Sequence, residues 1–229
     1  MLSSGSNGRC PASQPRALFL AATSLTFLKP RLRRSLRPLA ERLFRSGITA
    51  NQVTLISLIG SVGLGLVLSI CSNRSILFGL LPAWLLVRTS FAAIDGILAI
   101  DFGQKSRLGG FLNEAGDIAS DISLFLPLAF VAPFRTAPVV LVIALIVLSE
   151  IAGIAGSMVG GSRRLDGPFG KADRSLALGA VGGWIASVGS LPRGAAVLLP
   201  IFATLLLVTV INRIRFAAAE TKKPLAGSG

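Results

Sequence analysis

Long apolar runs separated by short basic stretches organise most of the chain. Six of them come close to the roughly 20 apolar residues that a transmembrane helix needs: 53–71, 76–100, 110–131, 137–159, 176–191 and 195–211. Ahead of the first run, RLRRSLRPLAERLFRSG sets Leu32, Leu36, Leu39 and Leu43 at helical spacing among arginines. That is the pattern of an amphipathic helix lying in the membrane interface, with Pro38 expected to interrupt or kink it. The pattern predicts an all-α integral membrane protein, a six-helix transmembrane bundle with an N-terminal interfacial amphipathic helix. The divisions expected are a basic peripheral segment 1–29, the interfacial helix 30–46, a six-span domain 47–215 and a tail 216–229.

The apolar stretch 17–28 is too short to span, and the basic PRLRR that follows it is not a signal-peptidase site, so no secretory leader is expected. Lysines and arginines alternate between the predicted loops. Nine precede the first span, Lys105 and Arg107 lie between the second and third, Arg163, Arg164, Lys171 and Arg174 between the fourth and fifth, and Arg213, Arg215, Lys222 and Lys223 near the end. The other loops carry only Arg74, Arg135 and Arg193. The positive-inside rule therefore puts both termini and the 101–109 and 160–175 loops in the cytoplasm, and the expected location is a bacterial inner membrane.

Composition agrees with this reading: 52% of residues are hydrophobic and 14% charged, and the mean hydropathy is +0.73. The net charge of +13 does not point to nucleic acid, because the cations punctuate apolar segments instead of clustering with aromatics on a soluble face. Cys10 and Cys71 fall on opposite sides of the predicted membrane and cannot pair. Ala152, Gly156 and Gly160, then Gly179 and Gly183, repeat small residues every four positions, which allows close helix approach either within the bundle or in a homodimer. GSVGLG at 60–65 lies inside a span and reads as packing.

One stretch breaks the apolar pattern. IDGILAIDFGQKSRLGGFLNEAGDIASD, residues 94–121, holds Asp95, Asp101, Glu114, Asp117 and Asp121, five of the ten acidic residues in the chain. At 1.5 Å per residue, Asp95 lies about 7 Å and Asp117 about 10 Å inside the cytoplasmic boundary. Asn113, Asp117 and Asp121 recur every four residues, so they share a helix face that can look across at Asp95. A carboxylate at mid-membrane costs about 2.5 to 3.5 kcal/mol, and several together repel unless compensated. One compensation is a hard divalent cation such as Mg²⁺, which takes a few carboxylates together with substrate phosphates. The other is ion pairing with Lys105, Arg107 or Arg88, the expectation for Asp101. With no histidine in the chain, a general base would be a carboxylate or a lysine.

The same stretch resembles the signature of the CDP-alcohol phosphatidyltransferase family, D-x2-D-G-x2-A-R-x8-G-x3-D-x3-D. Without a gap, the second aspartate falls on Asp95, the glycine on Gly96, the alanine on Ala99, the later glycine on Gly109 and the fourth aspartate on Asp117. The first aspartate is replaced by Ala92, the third by Asn113 and the arginine by Ile100. RLGGFLNEAGD and GITANQVTLISL resemble the flanking family motifs, and the similarity covers about residues 40–215. The resemblance implies transfer of a phosphatidyl-type group from a CDP-linked lipid such as CDP-diacylglycerol to an alcohol acceptor, with release of CMP, in phospholipid biosynthesis. It also implies Mg²⁺ or Mn²⁺ held by Asp95, Asn113, Asp117 and Asp121. Asp117 becomes the catalytic base, and Gly96, Ala99 and Gly109 lie at the nucleotide and diphosphate. Arg163, Arg164, Lys171 and Arg174, on the loop GSRRLDGPFGKADRS, are suited either to phosphate oxygens or to anionic membrane lipid. The alternative is a catalytically impaired member that binds lipid or nucleotide, or serves as an assembly partner.

Overall fold

The computed structural model describes residues 25–158 and 167–221. The expectations for residues 1–24, for Arg163 and Arg164, and for the last eight residues lie outside these. Within them the chain forms seven helices: α1 (Leu25–Arg45), α2 (Ala50–Ile70), α3 (Leu80–Asp101), α4 (Arg107–Phe125), α5 (Thr136–Met158), α6 (Lys171–Val188) and α7 (Leu198–Thr221). Short 3₁₀ turns lead into α3 and α7 and extend α4. No strand occurs among the described residues.

Four segments are long and apolar enough to cross a membrane: Ala50–Ile70, Ser75–Asp101, Thr136–Ser157 and Arg193–Glu220. They correspond to four of the six expected spans. The helices missing from that group, α4 and α6, carry the charges of the acidic stretch and of the basic loop. Charged groups from several helices are turned inward. Arg88, Asp121, Glu150, Arg174 and Arg213 are buried, while Ile59, Leu66, Ile70, Leu86, Leu141 and Leu207 are exposed. This inversion, with charge inside and aliphatic surface outside, suits a protein whose solvent is hydrocarbon.

α1 runs unbroken through Pro38, contrary to the expected interruption. It packs along α3, with Leu36, Ala40 and Leu43 against Ile94, Ile97 and Leu98. That packing supplies what the missing backbone donor of a proline removes. The main core is formed around Leu68, Phe78, Leu81, Phe125, Val142, Ile146, Leu178 and Leu206.

Close helix approach depends on glycine. A β-carbon on Gly65 would lie 2.1 Å from the carbonyl oxygen of Ser123, so α2 and α4 touch backbone to backbone there. Gly60 lies under the Trp84 ring, whose Nε1 donates to Ser61 Oγ at 3.0 Å. GSVGLG is thus a packing motif, as expected. Of the four-residue repeat, Gly179 packs on Pro82 and Leu85 of α3 within the bundle.

Candidate active site

The site is assembled where the first turns of α2 meet the loop between α3 and α4. Thr49 caps α2: its hydroxyl accepts from Gln52 N at 3.3 Å, and Gln52 Oε1 accepts from Thr49 N at 2.9 Å. This reciprocal box satisfies two helix-end donors. A third, Ala50 N, donates across to Gln104 Oε1 at 2.7 Å and ties α2 to the α3–α4 loop. The opening turn of α4 comes equally close, since a β-carbon on Gly109 would fall 2.5 Å from Asn51 Oδ1. The run ITANQVT therefore locks three helices together at one end.

Thr54, one turn into α2, donates from Oγ1 to Asp95 Oδ2 at 3.0 Å. Beside this contact a cleft is lined by Thr54, Ser57 and Leu58 of α2, Arg88, Ala92 and Asp95 of α3, and Asn113, Gly116, Asp117 and Ser120 of α4. All four positions that carry aspartate in the signature, Ala92, Asp95, Asn113 and Asp117, line this one cleft. Spacing of three on α3 and four on α4 puts each pair on one helix face, and the α2 clamp turns the faces together.

Asp117 and Asp121 of α4 are compensated by side chains of α3 and α6. Arg88 forks between two carboxylates, with Nη1 donating to Asp121 Oδ1 at 2.7 Å and Nη2 to Asp117 Oδ1 at 3.2 Å. Lys171 Nζ meets the other oxygen of Asp117 at 2.5 Å. Arg174 donates from Nε and Nη2 to Asp121 Oδ2 at 3.2 and 2.9 Å, and from Nη2 to Glu150 Oε1 at 2.7 Å. Arg213 Nη1 reaches the Ser149 carbonyl at 2.5 Å and Glu150 at 3.5 Å. The network links α3, α4, α5, α6 and α7. Asp121 and Arg174 are its dry centre, 4% and 1% exposed. α6 is delivered to it by the turn Gly167–Gly170. Gly167, at φ +135°, has no room for a side chain against Thr209, and Phe169 stacks on Phe202 at 5.0 Å.

The other expected site residues are distributed differently. Asp121 lies behind the cleft instead of in its wall. Gly109 is explained by its contact with Asn51, and Ala99 packs in the apolar cluster between α1 and α3. Gly96 has open space where a side chain would project. Lys171 and Arg174 reach the acidic residues; Arg163 and Arg164 lie outside the described residues. Asp101 does pair, but with Arg33 of α1 at 2.6 Å, not with Lys105, Arg107 or Arg88. Thr54, Glu150 and Ser149 went unnoticed in the sequence. Glu150 had a legible signal, being a lone acid inside a long apolar span that must find a partner.

Asp95, Asn113 and Asp117 bring two carboxylates and an amide to one cleft, the oxygen donors that a divalent ion shared with a substrate phosphate takes. Asp121 is held behind the cleft by two guanidinium groups, and Asp117 pairs with Arg88 and Lys171. Among the described residues, no three histidine, cysteine or acidic side chains converge as a metal-binding group.

The chain is 39% identical over 188 residues to the inner membrane protein YnbA of Escherichia coli (strain K12), covering 82% of this chain and 93% of that protein. The chain belongs to the family of that protein. A second relative, archaetidylinositol phosphate synthase of Pyrococcus horikoshii, is 33% identical over 109 residues, 46% of this chain and 53% of that one. No family model matches. Among solved structures, the fold is that of phosphatidylinositol phosphate synthase of Mycobacterium tuberculosis, a member of the CDP-alcohol phosphatidyltransferase family. The form with CDP-DAG bound gives a TM-score of 0.68 at 19% identity, over 80% of this chain and 94% of that one. The form with manganese and citrate gives 0.68 at 19% identity, over 84% and 95%.

Proposed function

We propose that the protein is a membrane phosphotransferase that moves a phosphatidyl-type group from a CDP-linked lipid, such as CDP-diacylglycerol, to an alcohol acceptor and releases CMP. The reading rests on one observation: Ala92, Asp95, Asn113 and Asp117, four positions dispersed over two helices, meet in one cleft flanked by aliphatic outer surface. Its support is the shared fold with a synthase whose structure holds CDP-DAG. The acyl chains lie in the bilayer, and the cytidine diphosphate enters from the cytoplasmic side, where Lys105, Arg107 and Lys171 gather under the positive-inside rule. The relative's inner-membrane designation supports a bacterial inner membrane.

In the transfer, the acceptor hydroxyl oxygen attacks the lipid-side phosphorus. The bond from that phosphorus to the bridging oxygen breaks, CMP departs with the electron pair, and the hydroxyl proton passes to Asp117. Arg88, 3.2 Å from Asp117 Oδ1, orients the carboxylate, and Thr54 does the same for Asp95. Mg²⁺ or Mn²⁺ was the expectation from the resemblance. Asp95, Asn113 and Asp117 would hold it, and it would offset charge on the diphosphate oxygens. The experiment is incubation of the purified full-length protein with CDP-diacylglycerol and a panel of alcohols, glycerol phosphate, inositol phosphate and serine among them, with CMP as readout. CMP release that needs one alcohol supports the reading and identifies the acceptor.

A second reading, a lipid- or nucleotide-binding member without turnover, is favoured by the engagement of both Asp117 oxygens and by the replacement of two signature carboxylates. Binding of CDP-diacylglycerol without CMP release from any alcohol would establish it.

A further inference from the structure

We infer that α1 carries a docking surface for anionic lipid headgroups, made by Arg31, Arg34 and Arg42 beside Leu39. The inference is independent of the CDP-lipid reading and concerns a face of the protein outside the cleft.

At about 100° per residue, α1 presents three differently occupied flanks. Leu36, Ala40 and Leu43 fall within about 60° of one another and pack on Ile94, Ile97 and Leu98 of α3. To one side of them, Arg33 pairs with Asp101 at 2.6 Å and Phe44 stacks on Phe102 at 4.6 Å, which fixes that flank to the end of α3 and the loop that follows. To the other side come Leu39, 44% exposed, and then Arg42, Arg31 and Arg34, all exposed.

Charge decides what this last flank faces. Glu41, the acid of α1, is taken by Arg45 at 2.5 Å, and Asp101 by Arg33. Arg31, Arg34 and Arg42 have no ion pair among the described residues, so three neighbouring guanidinium groups draw their counter-charge from outside the chain.

The apolar surroundings decide the chemistry of the partner. α1 is packed on the last two turns of α3, a helix that exposes Leu86 and Ile100 on its outer surface. Leu39 adds to that aliphatic surface, and the arginines stand next to it. One stripe thus offers hydrocarbon contact and cationic heads together, the arrangement that suits the boundary between acyl chains and headgroups. A guanidinium fork can take two oxygens of a phosphodiester. A zwitterionic lipid offsets its phosphate with its own ammonium group, whereas an anionic lipid leaves that charge to the arginines. Each basic residue near an anionic surface is worth roughly fivefold in binding.

The test uses the full-length protein with Cys10→Ser, Cys71→Ser and Ser35→Cys, a small fluorophore being attached at position 35, which is exposed on the same stripe. The nanodiscs mix phosphatidylcholine with phosphatidylglycerol, and brominated acyl chains are placed on one lipid and then on the other. The ratio of quenching gives the local lipid preference. Phosphatidylglycerol should be preferred about fivefold or more, and the preference should fall toward equality in about 0.5 M KCl. Arg31→Gln with Arg42→Gln should bring it within about twofold of equality, and Arg31→Lys with Arg42→Lys should keep most of it. Arg33→Gln with Arg45→Gln removes the same charge from arginines that are already paired, and should keep at least about half of the preference. Each variant is checked for folding by its melting profile. An unchanged preference in Arg31→Gln with Arg42→Gln overturns the inference. So does an equal fall in the two glutamine pairs, because a uniform field and not this flank would then hold the lipid. A parent without preference also overturns it, and would leave the flank to an acidic protein or a second copy of the chain.

Discussion

Asp121→Asn is the sharpest perturbation of the buried network. Asp121 accepts three N–H donors at 2.7, 3.2 and 2.9 Å from two arginines, and its side chain is 6% exposed. Asparagine keeps the shape, loses the charge and turns an NH₂ group toward a guanidinium. Removing one partner of a buried ion pair costs about 3 to 5 kcal/mol, because the remaining charge is left uncompensated. Here Arg174 retains Glu150 at 2.7 Å and Arg88 retains Asp117 at 3.2 Å, which places the expected cost near the lower figure, about 3 kcal/mol. At roughly 2 to 4 °C per kcal/mol for a chain of this size, the apparent melting temperature should drop by about 6 to 12 °C. Asp101→Asn is the control. Its pair with Arg33 is solvent-exposed, 26% and 45% by side chain, and such pairs contribute about 0 to 1 kcal/mol. Tryptophan fluorescence of both variants and the parent, melted in one detergent, gives the comparison. The double variant Asp121→Asn with Arg174→Gln should fall short of additivity by about 1 to 3 kcal/mol. Loss of less than about 2 °C in Asp121→Asn, or equal losses in Asp101→Asn, would refute the claim that this carboxylate organises the bundle.

Asp95→Asn and Asp117→Asn should each lower CMP release at least about tenfold, one removing the carboxylate held by Thr54 and the other the proton acceptor; Asp101→Asn should remain close to the parent in the same assay. Gly65→Ala should destabilise by about 1 to 3 kcal/mol or more, since the new methyl would lie 2.1 Å from Ser123 O. Gly63→Ala, with nothing within 4 Å, should melt no lower than the parent. Ala92→Asp combined with Asn113→Asp restores carboxylates to the cleft wall, and Mn²⁺ should raise the melting temperature of this variant more than that of the parent. An equal response would mean that the two positions do not share a ligand.

The local rules of the fold were legible in the sequence. Apolar runs marked α2, α3, α5 and α7, and the spacing of Asn113 and Asp117 put both on one helix face. These are periodicities set by rise and turn, which depend only on neighbours in the chain. Arg88 and Glu150, as lone charges inside apolar spans, each require a partner. Which partners was a matter of tertiary structure. Arg88 pairs 33 residues away with Asp121, Arg174 pairs 53 residues away with the same carboxylate, and Arg33 crosses 68 residues to Asp101. Only the crossing of α3, α4 and α6 decides that Asp117 and Asp121 meet guanidinium and ammonium groups. The packing of α2 on α4 gives Gly109 its role, because the close approach of Asn51 has no trace in the residues around it. A helix dictates the direction in which a side chain points. What it meets there depends on interhelical distances of a few ångströms, over which a lysine, an arginine and a metal ion are alternative sources of compensation for a carboxylate until packing selects among them.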